Sequence, residues 1–157
     1  MNKNQIWSDR FMGMCEEIAS WSEDRDHKVG CVIVGPEGQE VRTSGYNGLP
    51  RGVSASDEAR FDRASGEKFF WIEHAERNAI YNAARMGVSL QDCTAYVNRF
   101  PCADCGRALV QSGIKTIVAP PIPENDGALD HSFQVSAQML REAGIDVVAY
   151  EQGNDDA

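Results

Sequence analysis

His74-Ala75-Glu76 and Pro101-Cys102-Ala103-Asp104-Cys105 are the two stretches around which the rest of the chain is arranged. One imidazole and two thiolates hold a zinc ion on three sides. A catalytic zinc keeps three protein ligands and leaves the fourth position to water, whereas a structural zinc closes all four. Glu76 stands two residues after His74 and reads as a proton carrier, not a ligand. A lone Cys-x-x-Cys also fits a redox motif or half a zinc ribbon. The His-x-Glu and the Pro before the first Cys make this pattern specific. His27, His131, Cys15, Cys31 and Cys93 are the spare candidates for a fourth ligand, and none has ligand-like spacing. A closed structural zinc is therefore the weaker reading.

Working outward, both ligand groups fall at helix starts. Glu73 to Met86 reads as a helix whose small face is Ala75, Ala79, Ile80 and Ala83, ended by Gly87. Pro101 suits the first turn of a second helix, running to about Ser112. Helix N-termini carry partial positive charge, which favours thiolate over thiol. A spacing of three puts Cys102 and Cys105 on one helical face. Before the motifs, Gln5 to Ser20 carries Trp7, Phe11, Met14, Cys15 and Ile18 at helical spacing. Val29 to Val34 reads as a buried strand, and Glu40 to Tyr46 returns after a Gly-Pro turn to make a hairpin. Asn47 to about Phe70 lacks periodicity and reads as a long functional loop. After the motifs, strands at Cys93–Val97, Ile114–Ala119 and Ile145–Tyr150 alternate with helices, the last spanning Phe133–Ala143. That alternation predicts an α/β fold: a mixed five-stranded sheet, an antiparallel hairpin followed by parallel strands, with helices on both faces.

The chain of 157 residues fits a single domain, residues 1–157, with an acidic tail from Glu151 expected to fray. No run of eighteen apolar residues spans a membrane, and Met1 to Arg10 has no apolar signal region. Its 24 acidic and 15 basic residues give a net charge of −9. Long nucleic acids are bound mainly through Lys and Arg, so such a partner is disfavoured, while a small anion needs only a few local cations. Cys15, Cys31 and Cys93 read as buried free thiols and a cytoplasmic location follows. His27 and His131 read as surface or capping histidines. Phe100 can either stack on a ring or pack.

His-x-Glu followed by Pro-Cys-x-x-Cys is the signature of zinc deaminases. With it, His74-Ala75-Glu76-Arg77-Asn78-Ala79-Ile80, Gly45-Tyr46-Asn47-Gly48 and Gln111-Ser112-Gly113-Ile114 resemble the deoxycytidylate (dCMP) deaminase family over roughly Phe11 to Ala119. The resemblance implies a cytidine-deaminase-like three-layer α/β/α sandwich and a homo-oligomer, dimer to hexamer. It also implies Asn47 as a sugar contact and the Ala75 backbone N–H as a contact to the base carbonyl. One segment departs from the family. Members typically read Arg-Ser-Thr-Cys-x-Arg before the first strand, with the second Arg on the phosphate side. Here Trp21-Ser22-Glu23-Asp24-Arg25-Asp26 places Asp26 there, and an acid repels a phosphate unless Arg25, Lys28 or Arg51 takes over; these three read more readily as solvated charges than as phosphate ligands. The usual ligands of a second zinc are missing.

The expected activity is a Zn2+-dependent hydrolytic deaminase acting on a free cytosine nucleotide, dCMP to dUMP with release of ammonia. Zinc is held by His74, Cys102 and Cys105, and Glu76 moves protons between water, ring and leaving amine. The competing readings are a deaminase of another small aminated heterocycle, a tRNA or single-strand deaminase, and a non-catalytic zinc module.

Overall fold

The structure is a computed structural model that describes residues 3–152, so all but the first two residues of the acidic tail lie outside it. Its elements follow in the order α1 (Lys3–Ala19), β1 (Gly30–Val34), β2 (Val41–Tyr46), a 3-10 turn (Glu58–Phe61), α2 (Lys68–Trp71) and α3 (Ala75–Met86). Then come β3 (Thr94–Val97), α4 (Ala103–Gln111), β4 (Thr116–Ala119), α5 (Asp130–Glu142) and β5 (Asp146–Ala149). The sheet order is β2-β1-β3-β4-β5. β1 pairs antiparallel with both β2 and β3, while β3, β4 and β5 run parallel. The expected mixed sheet is thus present.

All five residues of β1 are buried, because this strand is covered on both faces. Side chains alternate across a strand. Val32 and Val34 meet Phe11, Met12, Cys15 and Ile18 of α1 on one face. Cys31 and Ile33 meet Ala75, Ala79 and Ala83 of α3 on the other, in a cluster that extends to Leu109 of α4 and Phe133 and Leu140 of α5. Each large aliphatic side chain sealed there contributes about 1.5–3 kcal/mol. The apolar stripe of α1 differs from the sequence expectation at one point. Met12 is buried at 4% exposure, whereas Met14 stands at 39%. The helix turns this way because it docks backbone to backbone on β1: a Cβ at Gly30 would lie 2.1 Å from the Cys15 carbonyl oxygen.

The stretch read as a structureless loop also differs. Residues 47–70 contain the 3-10 turn, capped by Asp57 accepting from the Ala59 N–H, and most of α2. Four-residue helices have no amphipathic period to read. This segment folds back so that Gly48 pairs with Glu73, immediately before α3.

Candidate metal centre

The site is set by where α3 and α4 begin. His74 is the N-cap of α3, with extended backbone (φ −81°, ψ 153°), one residue outside the helix expected to contain it. Its N–H donates to Glu73 Oε1 at 2.9 Å, and the same oxygen accepts from Arg77 Nε at 2.6 Å. The first turns of α3 lie directly on β2, because a Cβ at Gly45 would sit 2.4 Å from the Ala79 nitrogen and 2.5 Å from the Ala75 oxygen. Gly45 is therefore a requirement of close approach. Cys102 is the N-cap of α4, and Cys105 follows one turn later. The Ala103 N–H donates to Ser132 Oγ at 2.9 Å, tying the start of α4 to α5.

These starts converge. His74 Nδ1 lies 3.4 Å from the sulfur of Cys102 and 3.4 Å from that of Cys105. The three atoms all fall within 4.8 Å of one another, and no other such trio is gathered among the described residues. Zinc bound tetrahedrally at about 2.0–2.3 Å requires ligand atoms roughly 3.5–3.8 Å apart, so an imidazole and two thiols at these separations fit that ion.

The charges agree with a ligand set. Cys102 is held down to about 4, first by the hydrogen bond from Cys105 and then by His74, against the opposing effect of burial. Cys105 is driven up as it keeps the proton it shares with Cys102, and burial adds to this. The pair thus presents a thiolate to His74, the form in which a metal takes cysteine. Burial disfavours charge on His74, but the Cys102 hydrogen bond and the Glu76 carboxylate outweigh it and raise its pKa. Glu76 itself is 4% exposed. Burial lifts its carboxyl above the ordinary range, opposed mainly by His74, and it stands within hydrogen-bond reach of Cys105. A buried carboxyl held above its ordinary range is suited to taking up and releasing protons.

His74, Cys102 and Glu76 line a cavity together with Val29, Asn47, Ile72, Ala75, Phe100 and Phe133. Phe100 packs edge-on against Phe133, ring centroids 6.4 Å apart. Ala75, the first residue of α3, has an N–H with no intrahelical acceptor. Asn47 is buried, and both donors of its amide are engaged: Nδ2 donates to Asp24 Oδ2 at 3.1 Å and to the His27 carbonyl at 2.8 Å. Its Oδ1 accepts from the Val29 N–H at 2.9 Å.

The three cations weighed for the phosphate lie away from the cavity, as solvated charges would. Arg25 pairs with Glu58 on the surface, Arg51 donates to Asn82, and neither they nor the exposed Lys28 line the cavity. Asp26 is not a free acid facing the cavity, because Lys68 Nζ reaches it at 3.0 Å while also pairing with buried Asp24 at 2.7 Å. The cations that do line the cavity are Arg63, Lys68 and Arg99. His27, read as a surface residue, lines it too, while His131 is exposed on α5. Arg99 carried one sequence signal, a guanidinium three residues before the first motif cysteine. Arg63 and Lys68 carried none, since their partners lie 63 and 44 residues away.

Known proteins are similar to this chain. Residues 5–120 match the family model described as the cytidine and deoxycytidylate deaminase zinc-binding region. A relative described as an uncharacterised deaminase in the luxG 3′ region of Aliivibrio fischeri is 36% identical over 142 residues, covering 90% of this chain and 91% of its own length. A probable deoxycytidylate deaminase of Caenorhabditis elegans is 38% identical over 145 residues, 91% of this chain and 68% of its own. Among solved structures, the dCMP deaminase of cyanophage S-TIM5 in complex with dCMP and dUMP superposes with a TM-score of 0.75 at 21% identity, over 96% of this chain and 99% of that one.

Proposed function

This chain belongs to the cytidine and deoxycytidylate deaminase family, and from that premise we propose that it is a zinc-dependent hydrolase converting dCMP to dUMP and ammonia. The observation that carries the reading is the buried Glu76 carboxyl beside the gathered His74, Cys102 and Cys105, on a cavity that His74, Cys102 and Glu76 line together. His74, Cys102 and Cys105 hold the zinc. When bound, the metal supplies the Lewis acidity that makes water nucleophilic near neutral pH.

The remaining chemistry belongs to the chain. Glu76 accepts a proton from the attacking water and delivers it to the ring nitrogen beside the amino-bearing carbon. A new carbon–oxygen bond forms as that ring nitrogen is protonated. Glu76 then passes the second proton to the amine as the carbon–nitrogen bond breaks, so water and dCMP yield dUMP and ammonia in balance. The Ala75 N–H donates to the base carbonyl. Asn47 meets the sugar through Oδ1, whose second lone pair can accept a hydroxyl, because its two N–H donors are already committed.

The same proposal takes the chain as one catalytic domain working in the cytoplasm as a homo-oligomer. Five unpaired cysteines suit a reducing compartment. Exposed Trp21 and Tyr46, in edge-on contact, and exposed Val147 and Val148 on the edge strand β5 offer apolar surface to a second copy. No helix among the described residues is long and apolar enough to cross a membrane. Ammonia release by the zinc-loaded protein across cytosine and purine bases, nucleosides and nucleotides tests the activity. The expected preference is dCMP, and preference for a free base or a purine overturns it.

A further inference from the structure

The cationic part of the cavity wall comes from residues that no motif marks. Arg63 precedes α2, and Arg99 follows β3; both reach back to Asp126 in the connection before α5. Arg63 Nη2 donates to Asp126 Oδ2 at 2.6 Å, and Arg99 Nη2 donates to Oδ1. The Asp126 side chain is 2% exposed and sits behind the arginines, which themselves line the cavity. Its Oδ2 also accepts the Leu129 N–H, so the carboxylate is fixed from the α5 side as well.

Each guanidinium is held further. That of Arg63 lies over the Phe69 ring at 5.7 Å, and that of Arg99 over the Phe133 ring at 5.6 Å. Arg99 Nη1 also faces His27 Nδ1 at 3.2 Å. Burial, then Arg99 and Arg63, press His27 below its ordinary pKa, so it adds no charge at neutral pH. Two guanidinium groups against one carboxylate leave one positive charge in excess at this corner of the cavity, in a chain whose own net charge is −9. The neighbouring Lys68 offers no such surplus, since Asp24 and Asp26 both claim it. A guanidinium carries five N–H donors in a rigid fork that matches phosphate oxygens. Prefixed forks lose little freedom on binding.

We propose that Arg63 and Arg99, braced from behind by Asp126, are the specificity-determining residues that grip the phosphate monoester of the substrate. This rests on the reading of the chain as a cytosine nucleotide deaminase. The local grip replaces the arginine that the resemblance leads one to expect at position 26, and it explains why an acid is tolerated there: Asp26 is occupied by Lys68.

The test is kcat/KM for dCMP relative to deoxycytidine in zinc-loaded wild type, Arg63→Gln, Arg99→Gln and Arg99→Lys, with zinc content and Tm recorded for each. Loss of one charged hydrogen-bonding group should lower the dCMP-to-deoxycytidine ratio by about 10- to 100-fold. Arg99→Lys should recover part of it, and dUMP should lose affinity in calorimetry more than deoxyuridine does. Lys28→Gln and Arg51→Gln change net charge equally but lie outside the cavity, and they should leave the ratio unchanged. If wild type prefers dCMP and the Arg63 and Arg99 variants keep that preference, the inference is overturned while the activity stands. If wild type turns over deoxycytidine as well as dCMP, both fail.

Discussion

Lys68→Met strips a buried ion pair of its cation and leaves the carboxylate behind. Lys68 Nζ lies 2.7 Å from Asp24, with both side chains almost wholly enclosed, and 3.0 Å from the more exposed Asp26. At the shorter distance the gross attraction is about 6 kcal/mol for an effective dielectric constant of about 20. Burial of both ions offsets much of that, so the pair adds little net stability, yet breaking it costs about 3–5 kcal/mol because a buried charge is orphaned. The Asp26 contact adds little, being partly solvated. Asp24 also accepts from the backbone N–H groups of Asp26 and His27 and from Asn47, so the damage falls on the loop that carries His27 and Asn47 to the cavity. Denaturant unfolding at fixed free zinc should show the 3–5 kcal/mol loss, equivalent to a Tm drop of about 6–20 °C. Asp24→Asn combined with Lys68→Met removes the orphaned charge and should recover at least half the loss. A single variant within about 1 kcal/mol of wild type, or a double variant worse than the single, refutes the reasoning.

Glu76→Gln should keep full zinc content and fold while losing at least about 10²–10⁴-fold in kcat, as expected for a group that carries several protons; retention of a tenth of the activity contradicts this. Burial pushes Cys15 up to about 12 and raises Cys31 and Cys93 as well. At pH 8 only about one Cys15 in ten thousand is thiolate, so native protein should resist iodoacetamide at that position. Between pH 9 and 12 the unfolded Cys15 ionises and the folded one does not, so stability should fall with rising pH there; rapid native labelling at pH 8 speaks against the burial. Gly30→Ala forces a Cβ against the Cys15 carbonyl and should cost at least about 1–3 kcal/mol by denaturant unfolding, and a neutral result contradicts the close approach of α1 to β1.

The gathering of His74, Cys102 and Cys105 beside Glu76 was legible because zinc chemistry demands rare residue types at fixed spacing, and that spacing is local. The strands and long helices were legible from periodicity, within a few residues at each end. Met12 was missed in favour of Met14 because the facing of α1 is set by Gly30, a residue outside the helix. The cavity cations were missed for a related reason. Arg63 and Arg99 are placed by Asp126, and Lys68 by Asp24, through pairs that cross the fold and leave no pattern in neighbouring residues. Asn47 was legible as a cavity residue through the Gly-Tyr-Asn-Gly resemblance. That its donors are consumed by Asp24 and His27 could be read only from the structure.

The central claim is tested most directly by incubating the zinc-loaded protein with dCMP in oxygen-18 water and analysing the products by mass spectrometry. The account predicts dUMP carrying one solvent oxygen on the ring, one equivalent of ammonia, and at most about a hundredth of that turnover from Glu76→Gln with zinc still bound. Unchanged dCMP from fully zinc-loaded wild type, or more than about a tenth of wild-type turnover by Glu76→Gln, contradicts it.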